Sequence, residues 1–234
     1  MLQTIIPGLY TFTGLLMGRV YLTDDGNGEY SLIDTGMAQN GKSILNQWTA
    51  SGHTATSIKR ILITHAHIDH IGSLPYLAKV TGAQVIAHEL EADVIAAKTE
   101  SPRGDPTKLH GAQKMLRPFR WRASEPSPLH RAIKEGDFIA ESFGGFQVVF
   151  TPGHAPGHVS FWQPEKRVLF VGDALMHFQG VRRLPPGLFV DYEQNTRSIK
   201  ELLAPLDAEV ACFGHGKPIT SGAAAQIRAF AATI

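Results

Sequence analysis

Ile61-Leu62-Ile63-Thr64-His65-Ala66-His67-Ile68-Asp69-His70-Ile71-Gly72 is the stretch on which the reading of this chain turns. A hydrophobic run with strand character ends, and three imidazoles and a carboxylate follow within six residues. Neutral imidazole nitrogen and carboxylate oxygen are the donors that Zn²⁺ and similar first-row divalent ions accept. In an extended segment alternate residues point the same way, so His65 and His67 share one ion. Asp69 and His70 sit at the turn into the next helix and are redirected toward a second.

Distant segments repeat the pattern of strand followed by donor. Phe150-Thr151-Pro152-Gly153-His154 continues to His158, Phe170-Val171-Gly172 leads to Asp173, and Cys212-Phe213-Gly214 leads to His215. Donors at the ends of several strands converge on one rim of a sheet sandwich. Short β-branched and aromatic runs predict strands at Tyr30–Ile33, Ile61–Thr64, Gln84–Ala87, Gln147–Phe150, Val159–Trp162, Val168–Val171 and Val210–Phe213. Apolar spacing near 3.6 residues predicts helices over Lys42–Ser51, Asp69–Thr81, Asn195–Leu203 and Ala223–Ala232. Strands mixed with helices in this order suggest sheets covered by outer helices.

Composition bounds the alternatives. The 234 residues carry 22 Lys/Arg and 21 Asp/Glu, so bulk charge gives no argument for nucleic-acid binding. One cysteine, Cys212, excludes an internal disulfide framework and a Cys-based zinc finger, and its apolar run makes it a buried small residue. No apolar stretch approaches the roughly 18 residues of a membrane span, and the N-terminus does not read as a signal peptide. The expectation is a cytoplasmic protein with no membrane partner.

The segment 98–134 stands apart. It holds nine Lys/Arg against three Asp/Glu and five prolines, net +6, while the remainder is net −5. Phe119 and Trp121 interleave with Arg117, Arg120 and Arg122, which suggests a basic insertion or lid rather than a plain solvated face. Phe12, Leu15, Leu16 and Met17 suggest an exposed apolar patch and a homodimer contact.

With these residues in view, the chain resembles the metallo-β-lactamase superfamily of hydrolases. The resemblance rests on Leu32-Ile33-Asp34-Thr35-Gly36, His65-x-His67-x-Asp69-His70, His154, Asp173 and His215, and covers about residues 8 to 220. It implies an α/β (α+β) chain, a four-layer αββα sandwich of two similar halves with a metal site along one edge, as a single domain over 1–234. It implies two divalent ions, Zn foremost, with Fe or Mn also compatible. His65, His67 and His154 would hold the first, Asp69, His70 and His215 the second, and Asp173 would bridge them. Asp34 would support the metal loop through hydrogen bonds, since ligating imidazoles need orienting partners. His158 reads as a further supporting or structural histidine.

The branch is read from smaller differences. The diiron flavoprotein branch has Glu in place of His67, and the secreted β-lactamases use Cys where Asp173 stands, so both are disfavoured. The glyoxalase II branch resembles Gly172-Asp173-Ala174-Leu175 with Gly180, Arg182 and Arg183 soon after, but only 19 residues follow His215 here, which puts glutathione contacts in doubt. The acyl-homoserine lactonases commonly carry Tyr where this chain has Met176, with His177 next. Met176, His177, Arg182 and Arg183 are therefore the candidate substrate contacts.

Two cations about 3.5–4 Å apart lower the pKa of a water held between them, giving hydroxide that attacks a carbonyl. Asp69 is the candidate catalytic carboxylate, orienting that nucleophile or receiving its proton. The expectation is a dinuclear hydrolase of a small thioester or lactone. The alternatives are a mononuclear iron persulfide dioxygenase, a phosphodiesterase, and a non-enzymatic metal-binding module.

Overall fold

The computed structural model describes residues 1–111, 114 and 125–234. The first sheet holds seven strands in sequence order: β1 (Leu2–Ile6), β2 (Leu9–Phe12), β3 (Tyr21–Gly26), β4 (Glu29–Ile33), β5 (Ile58–Leu62), β6 (Gln84–His88) and β7 (Arg131–Ile133). The first four form an antiparallel meander, and β4 to β7 run parallel. Parallel neighbours need crossovers, and the helices α1 (Asn40–Ala50), α2 (Ile68–Ile71), α3 (Leu74–Thr81) and α4 (Ala92–Ile95) lie in these connections. The second sheet begins with β8 (Phe138–Ile139), β9 (Phe146–Phe150), β10 (Val159–Gln163) and β11 (Val168–Gly172). A small hairpin, β12 (Met176–His177) and β13 (Val181–Arg182), precedes α5 (Tyr192–Arg197), which runs on as a π-helical turn over Ser198–Leu203. β14 (Val210–Phe213) then returns parallel to β11, and α6 (Ala223–Ala231) closes the chain.

The two-residue period of each strand sorts its side chains into separate cores. Ile33, Leu62 and Ile86 face inward and meet Phe161, Phe170 and Cys212 of the other sheet. Their neighbours Leu32, Ile61 and Val85 face outward and pack on Ile44, Trp48, Leu74 and Leu77 of the first helical layer. Trp162, Leu169 and Ala211 point the opposite way and pack on Ile199, Leu203, Ala223 and Ile227. Three cores between four layers make the αββα sandwich that the resemblance implied. Tyr21 stitches its halves, its buried hydroxyl donating to the Phe213 carbonyl at 2.7 Å.

Several expectations need correction. The predicted helix Asp69–Thr81 is two helices, α2 and α3. Between them the Ser73 N–H donates to the Gly36 carbonyl and its hydroxyl to the Met37 carbonyl, so the ladder is interrupted. The strand predicted to Thr64 stops at Leu62, because the Thr64 N–H turns to the Asp34 carboxylate. Asn195–Leu203 begins earlier, at Tyr192, where Asp191 caps the Gln194 N–H at 2.8 Å. β1, β2, β3, β7, β8, β12 and β13 were not predicted.

Phe12 does not belong to an exposed patch: it is buried in the first core, whereas Leu16 and Met17 are exposed. The basic segment does not extend as an insertion to residue 134, since Arg131–Ile133 pairs with β6 as the sheet's edge strand. Arg117, Phe119, Arg120, Trp121 and Arg122 lie outside the described residues.

Candidate metal centre

The seven predicted donors come together at one edge of the sandwich, on the segments that follow the ends of strands. His65 and His67 lie on the loop leaving β5, and Asp69 and His70 occupy α2. His154 lies on the β9–β10 connection, Asp173 follows β11, and His215 follows β14. His65, His70, His154 and Asp173 are buried, while His67 and His215 are half-buried.

Among the described residues the donors lie together as His65, His67 and His154, as Asp69, His70 and His215, and as His65, His70 and Asp173, which links the other two. In the first, His67 Nδ1 lies 3.1 Å from His65 Nε2 and 2.9 Å from His154 Nε2. In the second, Asp69 Oδ2 lies 3.2 Å from His215 Nε2 and 3.9 Å from His70 Nε2. Asp173 stands between them: its Oδ2 is 3.4 Å from His154 Nε2 and 3.1 Å from His215 Nε2, and its Oδ1 is 3.4 Å from His70 Nε2.

Asp34 orients both groups. Its Oδ1 accepts from the Thr64 N–H, and its Oδ2 accepts from the Thr64 hydroxyl and from His70 Nδ1, each at 2.8 Å. The Thr64 hydroxyl, having donated to Asp34, accepts from His65 Nδ1 at 3.1 Å. His65 therefore carries its proton on Nδ1 and presents a bare Nε2 to the centre, and His70, donating from Nδ1, turns its Nε2 there.

His158 fixes Asp173. Its Nε2 accepts from the Asp173 backbone N–H at 2.9 Å, and its Nδ1 pairs with the Thr151 hydroxyl at 2.9 Å. Burial pushes this imidazole down to about 3, so it stays neutral and keeps that acceptor. A side chain at Gly172, which has φ +58°, would run into the His158 ring. A side chain at Gly214 would collide with the Asp173 carboxylate. These two glycines let the backbone close around Asp173.

The electrostatics of the two groups differ. Burial and the neighbouring imidazoles hold His65 and His154 well below the usual histidine range, and burial also lowers His67. Burial lowers His70 and His215 too, but the carboxylates outweigh it. Asp173, Asp34 and Asp69 raise His70 well above its ordinary value, and Asp173 and Asp69 bring His215 up to about 10. Burial raises the carboxyls of Asp69 and Asp173, and His70 and His215 more than reverse this, leaving both ionised.

The donor set fits divalent metal. His70 Nε2 and Asp173 Oδ1 are buried with no hydrogen-bond partner among the described residues, a condition that costs free energy unless a cation satisfies it. All donors are nitrogen or carboxylate oxygen.

The candidate substrate contacts are more scattered. Met176 and His177 are half-buried on β12. His177 Nδ1 donates to the Lys217 carbonyl at 2.8 Å and its N–H to the His215 carbonyl at 3.2 Å, so it braces the His215 loop. Arg183 donates to the Thr196 hydroxyl at 2.7 Å and stacks over the Tyr192 ring at 3.7 Å, which ties it to α5. Arg182 is exposed and bonds within its own hairpin.

Sequence reasoning missed Glu91. This carboxylate is buried; its Oε2 accepts from the Ala66 N–H at 2.9 Å and its Oε1 from the Gly157 N–H at 2.6 Å. It joins the His65–His67 loop to the His154–His158 loop. It lies three residues beyond the end of β6, in the turn that leads into α4, where no local motif marks it.

The family model described as metallo-beta-lactamase superfamily matches residues 13–215. The probable metallo-hydrolase YflN of Bacillus subtilis is 30% identical over 203 residues, covering 82% of this chain and 76% of that protein. The hydroxyacylglutathione hydrolase GloC of Haemophilus influenzae is 31% identical over 170 residues, covering 71% and 72%. A metallo-beta-lactamase family protein of Thermus thermophilus superposes with a TM-score of 0.72 at 26% identity, covering 98% of this chain and 79% of its own. The chain belongs to the metallo-β-lactamase superfamily, and these curated relatives are hydrolases.

Proposed function

We propose that the chain is a dinuclear metal-dependent hydrolase opening a thioester or lactone carbonyl of a small substrate. The observation that carries this reading is the position of Asp173 Oδ2, at hydrogen-bonding range of His154 Nε2 on one side and His215 Nε2 on the other. His65, His67 and His154 would hold one ion, Asp69, His70 and His215 the other, and Asp173 would bridge them. Divalent ions there supply Lewis acidity and an acidified water at neutral pH.

The chain's own groups do the rest. The Asp69 carboxylate, kept ionised by its neighbours, orients the attacking water by accepting its hydrogen. Asp34 holds His70 and, through Thr64, His65 by Nδ1, so that the Nε2 of each faces the centre. His158 holds the Asp173 backbone so that both carboxylate oxygens stay in the centre. The likeness to a hydroxyacylglutathione hydrolase supports the thioester arm of the reading.

The test is metal per chain by mass spectrometry, beside turnover of a lactone, a thioester, bis-p-nitrophenyl phosphate and a β-lactam. Near two ions per chain with thioester or lactone turnover is expected. One iron per chain, with oxygen uptake on a persulfide and no ester turnover, moves the protein to the dioxygenase reading.

A further inference from the structure

Beside the metal centre lies a cavity of about 360 Å³ that the chemistry above does not use. One wall is the loop of Gly214, His215 and Gly216; the other is Phe12 at the end of β2 and the β2–β3 connection, with Leu15, Met17 and Arg19. Arg19 fastens the two walls together. Its backbone N–H donates to the Gly214 carbonyl at 2.7 Å, and its Nε donates to the Gly216 carbonyl.

The Arg19 side chain is otherwise unspent. Among the described residues the guanidinium makes this one hydrogen bond and stands in no ion pair, although it is only partly exposed. It is the one Arg or Lys lining the cavity. With Nε anchored, the Nη1–Nη2 fork is held in place, which lowers the ordering loss when it grips a carboxylate. Phe12, Leu15 and Met17 supply the apolar surface that usually lines a small-molecule site around a few polar groups.

We propose that Arg19 and this cavity bind a carboxylate of the substrate, a few bonds from the carbonyl that reacts beside His215. The substrate class is then a short thioester or lactone bearing one free carboxylate and a small apolar segment. A single fork with apolar walls suits one negative charge better than a doubly charged phosphate. This rests on the hydrolase reading for its chemistry, but not for its ligand.

The experiment uses the metal-loaded protein and a matched pair of thioesters, S-butyryl-3-mercaptopropionate and its methyl ester, with released thiol as readout. Wild type is expected to prefer the free acid by about tenfold in kcat/KM, and Arg19→Met to bring that ratio within about twofold. Arg19→Lys, which keeps the charge and loses the fork, is expected to fall between. Met17 is exposed, so Met17→Glu and Met17→Lys leave the fold and Arg19 intact. They are expected to lower and raise the acid-to-ester ratio, respectively. An acid-to-ester ratio unmoved by these changes overturns the proposal.

A second readout needs no turnover. Glutarate titrated calorimetrically into wild type and Arg19→Met is expected to bind at least about tenfold more weakly to the variant. Equal affinity overturns the carboxylate pocket. If wild type cleaves neither thioester, the glutarate titration alone decides the pocket, and the hydrolase reading is decided by the substrate panel above.

Discussion

The two donor groups of the centre sit side by side yet are built differently. His65, His67 and His154 are three imidazoles, drawn from a β5 loop and a β9–β10 loop, and their burial keeps them neutral. Asp69, His70 and His215 mix a carboxylate with two imidazoles whose neighbouring carboxylates favour the protonated ring. The difference teaches that a ligand set can be ready in two senses. The first group already has the protonation state a cation needs. The second, where the carboxylates favour an added ring proton, would have to release it on binding a cation.

The largest test of that contrast removes the group both halves share. Asp173→Ala is expected to lower turnover at least about 10³-fold, several kcal/mol of transition-state stabilisation, and to deplete metal from both positions. Metal analysis and initial rates on the same sample check it, and near-wild-type turnover sinks the dinuclear assignment. Next come the single-sided variants. His67→Ala and His215→Ala are each expected to leave about one ion per chain, from opposite groups. Both falling to the same residual occupancy of the same site would erase the distinction.

A smaller effect is expected from Asp34→Ala, which leaves every donor in place. Losing its orienting bonds is expected to cost about 10–100-fold in metal affinity, as such supporting residues do. The loss should be greater at the second group, because Asp34 touches His70 directly and reaches His65 only through Thr64. Competition titration with a chromogenic chelator separates the two affinities.

The subtlest effect is in the metal-free protein. Histidines held below their ordinary value bind fewer protons folded than unfolded. Their contribution is complete above pH 6.5 and lost as pH falls below it. His215, raised to about 10, binds more protons folded; its contribution is complete below pH 6.5 and lost as pH rises toward 10. Thermal unfolding after chelation should therefore peak near pH 6.5, with each flank lower by about 2–4 °C or more. His215→Ala is expected to shrink the alkaline flank to the part that His70, also raised, contributes, and to leave the acid one.

The donors were legible because ligand chemistry resides in side-chain type and in the step from strand to loop. His65, His67, His154, Asp173 and His215 all follow apolar runs that betray their strands. The inter-sheet and outer cores were legible through alternation in runs such as Leu32-Ile33 and Trp162-Phe161. The meander β1–β3 was not, because Gln3, Thr4, Asp24 and Asp25 interrupt its apolar pattern and glycines divide it. Glu91 and Arg19 were opaque for another reason. Each acts on backbone groups distant in sequence, Ala66 and Gly157 for one, Gly214 and Gly216 for the other, and no local motif reports such a bond. Arg183 shows the converse. Its charge suggested a substrate contact, and the fold gives it Thr196 and Tyr192 instead.

Glu91 has a kinetic signature of its own. One carboxylate grips the Ala66 and Gly157 amides, on loops leaving different sheets, so neither N–H is released without disturbing the shared acceptor. In hydrogen–deuterium exchange the two amides should open as a unit, with matched protection despite 91 being distant from both along the chain. The rate at which that pair exchanges would read the opening of the sandwich at its working edge.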